Sequence, residues 1–334
     1  MRAQFPIRVF VGALVLQVSL AGHAGGSTKE ARWIIDRMSQ ARKSVSFEGI
    51  LVYQRGKNLH SMRIIHKAEK GRERERLTSL SGPARELVRD ERQTTCVFPD
   101  NRAVMVVKNR FSEIFPAALP KPIEQIENLY SFSVLGKDRV AGREAWVVRI
   151  QPKGWDRYEH KLWIDDASHL LLKSHILDAQ GEILEEVLFT SIKLRDFIPD
   201  SLLTPKLAEE GYTWYRNEPG RNKAADGSSA KWTVNWLPEG FAMRGYEEQA
   251  LTPSRPAVDH LFFSDGLATL SVFVEKSAAP AADGVEDQTS LGAVNTYTWM
   301  TDGYRVTVVG ELPAVTVRRV AGSIAGKEIA GKED

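Results

Sequence analysis

Residues 46–80 read SFEGILVYQRGKNLHSMRIIHKAEKGRERERLTSL. Three runs in it, SFEGILVYQ, LHSMRIIHKA and RERERLTSL, are parted by Arg55-Gly56 and Lys70-Gly71. Their alternation puts successive side chains on opposite faces of a strand, and glycine dipeptides between such runs mark antiparallel turns. The stretch is therefore a three-strand meander. Phe47, Leu51 and Tyr53 share one face of its first strand, and Met62 and Ile64 share one face of its second.

The pattern continues outward. RELVRD, TTCVFP and RAVMVVK follow, with turns at Ser81-Gly82-Pro83 and Pro99-Asp100-Asn101. A Pro-rich stretch, FSEIFPAALPKP, precedes a short expected helix at IEQIENLY, and then come SFSVLGKDRV, EAWVVRI, YEHKLWID, LLLKSHILD and EILEEVLFTSIKL. On the N-terminal side, STKE from Ser27 is a capping-box pattern, and Ala31, Ile34, Ile35, Met38 and Ala41 recur at helical spacing. So long a meander must close or be covered, because an open sheet exposes an unpaired edge. The expectation is an α+β fold: a half-open antiparallel β-barrel wrapped on helices. Inward side chains then line an apolar hollow, with Phe47, Leu51, Tyr53, Met62, Ile64, Phe98, Phe111 and Phe115 as its candidate residues.

Periodicity lapses from Pro199 to Ser229, where RNEPGRNKAADGSSA has the composition of a connector. A smaller α+β unit follows. It opens at KWTVNWLPEGF, contains a hairpin at LFFSDGLATLSVFVE turning at Asp265-Gly266, and adds NTYTWM and YRVTVVG after the loose stretch KSAAPAADGVEDQTS. A final helix is expected to face Val317, Val320, Ala321 and Ile324 one way, with Arg318 and Arg319 beside them. In the hairpin, Phe263, Leu270, Val272 and Val274 are expected to pack inward. The division is thus 1–24 export signal, 25–200 large domain, 201–230 linker and 231–326 small domain.

The signal is MRAQFPIRVFVGALVLQVSLAGHAGG: two arginines, an apolar run too short to span a bilayer as a helix, then small residues, with cleavage expected near Ala24. Its removal takes away Arg2 and Arg8 and no acid, leaving basic and acidic residues equal in number. That balance argues against a nucleic-acid partner. Cys96 is the only cysteine, so no internal disulfide forms; in TTCVF it reads as a small buried hydrophobe.

Catalytic signatures do not appear: HExxH, GxSxG, a P-loop and CxxC are all missing. His60 and His66 lie too far apart along one strand for joint ligation, and His160, His169 and His175 meet only under a particular pairing. Asp165-Asp166 reads as a turn and Glu185-Glu186 as an edge or exposed strand. Arg72, Arg74 and Arg76 read as a solvated row, or as one able to hold acidic groups such as lipid phosphates. No catalytic residue, metal or cofactor is expected.

WLPEGF (236–241), FSDGLATLSVFV (263–274) and VVGELP (308–313) resemble the RseB/MucB family, periplasmic negative regulators of envelope-stress sigma factors. The likeness extends through SGPARELVRD and KLWIDDASHLLLKSHILDAQGEILE. It implies a large domain like the lipoprotein carriers of the LolA/LolB type, a barrel with a helical lid, and a smaller domain behind it. It also implies a periplasmic protein that binds the periplasmic region of a single-span RseA/MucA-type anti-sigma factor and shields it from proteolysis. Lipid, lipopolysaccharide fragments or mislocalised lipoproteins then release that grip, and members self-associate. On this basis Phe241, Phe262, Phe273, Tyr304, Arg318 and Arg319 are the candidate partner-binding residues. A periplasmic lipid or lipoprotein carrier is the alternative reading.

Overall fold

The computed structural model describes residues 28–108, 123–206, 211–217, 221–222, 230–249, 257–277, 284 and 286–326. Helix α1, Thr28–Ser44, buries the five residues whose spacing announced it: Ala31, Ile34, Ile35, Met38 and Ala41. The meander after it comprises β1 (Ser46–Arg55), β2 (Asn58–Glu69), β3 (Arg72–Ser79), β4 (Glu86–Arg89), β5 (Gln93–Phe98) and β6 (Ala103–Lys108). A second run holds β7 (Tyr130–Val140), β8 (Arg143–Pro152), β9 (Glu159–Asp165), β10 (Leu171–Leu177) and β11 (Ile183–Arg195). The helix expected at IEQIENLY is only a 3-10 turn, Ile123–Gln125.

These strands form one sheet of 12, in the order β12-β6-β5-β4-β3-β2-β1-β11-β10-β9-β8-β7, where β12 is Thr213–Asn217. The chain thus folds as two meanders joined where β1 pairs with β11. The sheet does not close, since its ends β12 and β7 are not paired with each other. It is nevertheless strongly curved. Helix α1 touches β7 and also β2 and β3. Seven strand spacings separate β3 from β7, roughly 34 Å along a flat sheet, against a helix about 25 Å long. Likewise β11 and β7, four strands apart, approach within 8 Å between Cα atoms. Only a sheet bent around the helix satisfies both.

The stretch read as connector carries structure of its own. Thr213–Asn217 joins the large sheet in parallel with β6, and β13 (Arg221–Asn222) pairs with β15 (Ala242–Gln249). Neither segment has a two-residue apolar period, so their pairing rests on backbone hydrogen bonds. The remaining strands are β14 (Trp232–Val234), β16 (Val258–Ser264), β17 (Thr269–Lys276), β18 (Glu286–Leu291), β19 (Val294–Thr301), β20 (Tyr304–Gly310) and β21 (Ile324–Gly326). Five of them join β13 and β15 in the second sheet, β13-β15-β16-β17-β20-β19-β18, while β14 and β21 pair with each other. Strand β18, exposed at every residue, comes from the stretch read as loose loop and pairs through its backbone as the sheet edge.

Helix α2, Ala314–Ala321, packs on β19 and β20 with Val317 and Val320 inward. It stops before Ile324, which the apolar spacing had assigned to it. The Gly322 N–H returns to the Arg318 carbonyl, and the chain leaves the helix to pair Ile324–Gly326 with Trp232–Val234. The hairpin forms as read, with Phe263, Leu270, Val272 and Val274 all buried in the small core. No helix among the described residues is long and apolar enough to cross a membrane.

Candidate ligand and partner surfaces

On the large sheet the candidate hollow residues share one face. Phe47, Leu51 and Tyr53 alternate on β1 and stand opposite His66, Met62 and His60 of β2. From Gly49 a row of direct cross-strand partners runs Ile64, Leu77, Leu87, Cys96, Met105, Tyr215. Phe98, two residues beyond Cys96, lies on this face too. Exposure rises along the row: Ile64 and Leu77 are buried with Phe47, Leu51, Val187 and Phe189, whereas Met105 is 42% and Tyr215 59% exposed. Tyr53, Met62 and Phe98 are half-buried. Phe111 and Phe115 lie outside the described residues. One end of the face is therefore packed core and the other an open apolar rim. Burial raises the pKa of the Cys96 thiol within that row, so its neutral form is favoured.

Beside the apolar row runs a charged one. Glu75 is buried and takes Arg42 of α1 at 2.7 Å and the His66 Nδ1 at 2.9 Å, while His66 Nε2 faces the Arg42 carbonyl at 2.7 Å. Burial alone would raise the Glu75 pKa; the His66 hydrogen bond and the Arg42 and Arg89 charges hold it down at about 2. His66, Glu73 and Glu75 gather their ligand atoms within 4.8 Å, yet Arg42 already bridges both carboxylates, so the cluster is an ion-pair network tying the end of α1 to the sheet. The expected solvated arginine row is largely engaged: Arg76 pairs with buried Glu86 and Arg74 with Asp200, and only Arg72 stands well exposed. His160 and His175 point to opposite faces, one aligned with Ile176 and the other with Lys161.

The two sheets meet through a polar contact that no sequence motif announces. Asp265, at the hairpin turn, is 1% exposed. Its Oδ1 accepts the N–H groups of Leu267 and Ala268, both at 2.8 Å, and so shapes the turn. Its Oδ2 accepts the Tyr130 hydroxyl at 2.8 Å and Arg157 Nε at 2.7 Å, both from the large sheet's side. Arg157 also donates to the Glu239 carbonyl and lies 5.3 Å from the Phe241 ring centre. Burial pushes the Tyr130 hydroxyl pKa up, and the Asp265 charge adds to this. Nearby, burial lowers His160 to about 4, with Asp265 opposing.

A second contact lies beyond it. The Glu185 carboxylate receives Tyr53 at 2.8 Å, Arg55 at 2.9 Å and the Ala293 N–H at 3.2 Å, and Asn295 donates to Tyr158 at 2.9 Å and to the Leu312 carbonyl at 2.7 Å. Glu185 is therefore not on an exposed strand. Residues from WLPEGF, SDGL and GELP all take part in this junction, so the motifs that carried the family likeness are junction residues.

Of the candidate partner residues, Phe241 is 9% exposed, between the small core and Arg157. Phe262 and Phe273 lie on the face of the hairpin turned away from that core, half-buried, with Phe273 stacked on His260 at 4.3 Å. Tyr304 packs edge-on to Trp232 at 5.0 Å. Arg318 reaches Glu286 at 3.8 Å and lies 5.9 Å from the Tyr297 ring centre, and Arg319 stacks over Trp236 at 4.0 Å. The six therefore do not form one patch.

A curved open sheet with a helix in its bend, joined by buried polar contacts to a second, smaller sheet, defines a two-domain, mainly β protein. The chain belongs to the MucB/RseB family: the model of the MucB/RseB N-terminal domain matches residues 30–207 and that of the C-terminal domain residues 226–325. It is 31% identical to the sigma factor AlgU regulatory protein MucB of Pseudomonas aeruginosa, over 96% of this chain and 98% of that one. It is 29% identical to the sigma-E factor regulatory protein RseB of Haemophilus influenzae, over 92% and 95%. Among solved structures, the Pseudomonas aeruginosa MucA/MucB complex matches with a TM-score of 0.69 at 29% identity, covering 90% of this chain and 99% of that one.

Proposed function

We propose that this chain is an exported regulator, freed of its signal near Ala24, that binds the periplasmic region of a membrane anti-sigma factor and protects it from proteolysis. The observation that carries the reading is the match along both domains to regulators solved with MucA. The large domain, 25–200 with the edge strand from the linker, is read as a half-open barrel with α1 as its cover. Its apolar row is the seat for acyl chains: Tyr53 and Met62 flank the packed end at Phe47, Leu51 and Ile64, and Phe98 of β5 lies toward the open rim at Met105. The small domain, 231–326, supplies Phe262, Phe273, Tyr304, Arg318 and Arg319 to the partner, with apolar contacts at the sheet face and charged ones at α2.

Acyl chains act as the off signal only if they bind the partner-free state more tightly, because a ligand shifts an equilibrium by its differential affinity alone. The test is competition: titrate the full mature chain with an anti-sigma periplasmic fragment, with and without lipopolysaccharide fragments. Lipid is expected to weaken the affinity at least tenfold in the native chain and not in Met105→Asp, which places a charge on the rim. An affinity that ignores lipid removes the sensing half. Acyl transfer between vesicles with no anti-sigma binding favours the carrier instead.

A further inference from the structure

We propose that Asp265, Arg157 and Tyr130 form a latch that holds the two domains at one angle and opens in a single step. Three observations carry it. First, the carboxylate is divided: Oδ1 accepts two N–H groups of its own turn, and Oδ2 accepts Tyr130 and Arg157 of the other domain. The turn does not need Oδ2, so Tyr130 and Arg157 are bound there for docking.

Second, the latch is shielded from solvent. Asp265 and Arg157 are both buried, with Arg157 between the Tyr130 and Phe241 rings at 5.8 and 5.3 Å. A buried pair pulled slightly apart loses its attraction before water can reach either charge, so partial opening is the least favourable arrangement. The junction is then either closed or fully rehydrated.

Third, the surfaces around it allow no slack. A Cβ on Gly240 would stand 2.4 Å from the Leu129 Cδ1, and one on Gly292 2.6 Å from the Arg55 Cγ, each placing a small-domain backbone against a large-domain side chain. Leu267, next in the hairpin turn, packs into the cluster that holds α1 on β7, where Ile34, Phe132 and Tyr130 lie. Tyr130 therefore belongs to the core under α1 and to the latch at once. A shift of α1 or β7 reaches Asp265 through one side chain.

The measurement is the distance between spin labels at Gln180→Cys and Val315→Cys, exposed positions on either domain, in the full mature chain with Cys96→Ser. One narrow distribution is expected. Asp265→Asn keeps the turn, since its Oδ1 still accepts both N–H groups, but it turns an amide toward two donors. It is expected to add a second, longer population of at least a third of the molecules. Arg157→Gln, made in the other domain, is expected to do the same, and the double variant to go no further than either. Glu248→Gln, which loses an exposed pair inside the small domain, is expected to leave one peak. A single unshifted peak in both Asp265→Asn and Arg157→Gln, or a gradual drift of one peak in place of a second population, overturns the proposal. Should Asp265→Asn not fold, Arg157→Gln and Tyr130→Phe decide it from the large domain.

Discussion

Two buried charge clusters, one inside the large domain and one at its junction with the small domain, hold different things together. The Glu75 cluster joins α1, β2 and β3 of one domain through His66, Arg42 and Arg89. The Asp265 cluster joins two domains through Tyr130 and Arg157. Both set a buried carboxylate against arginine, Glu75 against Arg42 and Arg89 and Asp265 against Arg157. They differ in what each ties: Glu75 fastens the end of α1 to its own sheet, whereas Asp265 fastens one domain to the other. The lesson is that similar buried chemistry serves stability when its partners share a core and serves arrangement when they do not.

The largest effect separates the two. Glu75→Ala removes the buried carboxylate that Arg42, Arg89 and His66 share, and loss of one partner from a buried ionic group costs about 3–5 kcal/mol. Chemical denaturation of the full chain is expected to show that loss. Asp265→Asn is expected to lower the same transition far less while changing the distance between the domains. Equal losses of stability in the two variants remove the distinction.

Acid sharpens it next. The Glu75 pKa is depressed to about 2 from 4.5. Its stabilisation is therefore present above about pH 4.5 and is lost as pH falls toward 2. His160 is depressed to about 4 from 6.5, so its neutral ring contributes fully above about pH 6.5 and loses that contribution as pH falls toward 4. Acid melts should thus show two separable windows. His160→Asn is expected to flatten the upper one and Glu75→Gln the lower; a Glu75→Gln curve with the lower window intact refutes the assignment.

How much of this was legible in the sequence follows from what each signal measures. Period-two spacing gave β1 through β11 nearly to the residue, because apolar alternation records which side chains face a core. It missed β12, β13, β15 and β18, whose pairing is a backbone matter that polar residues such as Asp287 and Gln288 do not announce, and it gave Ile324 of β21 to the helix before it. The shared face of Phe47, Leu51, Tyr53, Met62, Ile64 and Phe98 followed from parity alone. The latch did not, since an Asp-Gly pair between apolar runs means a turn wherever the turn happens to sit, and Arg157 in GWDRYEH is one arginine among many. Contacts between residues 108 apart need the fold first.

The smallest expected effect concerns the surface of α2, and it bears on binding, not folding. Arg318 and Glu286 form an exposed pair at 3.8 Å. Such pairs contribute roughly 0–1 kcal/mol, so Glu286→Gln should leave the denaturation midpoint almost unmoved. Breaking that pair, however, releases Arg318 toward an acidic group on a partner. If α2 docks the anti-sigma fragment, Glu286→Gln is expected to hold or slightly raise affinity and Arg318→Ala to lower it several-fold, with the loss shrinking as salt screens the contact. Arg319 offers the internal contrast: its guanidinium is stacked on Trp236, so Arg319→Ala is expected to cost packing before it costs binding. An Arg318→Ala variant with unchanged affinity at low salt would move the docking surface away from α2 and onto the Phe262 and Phe273 face of the hairpin.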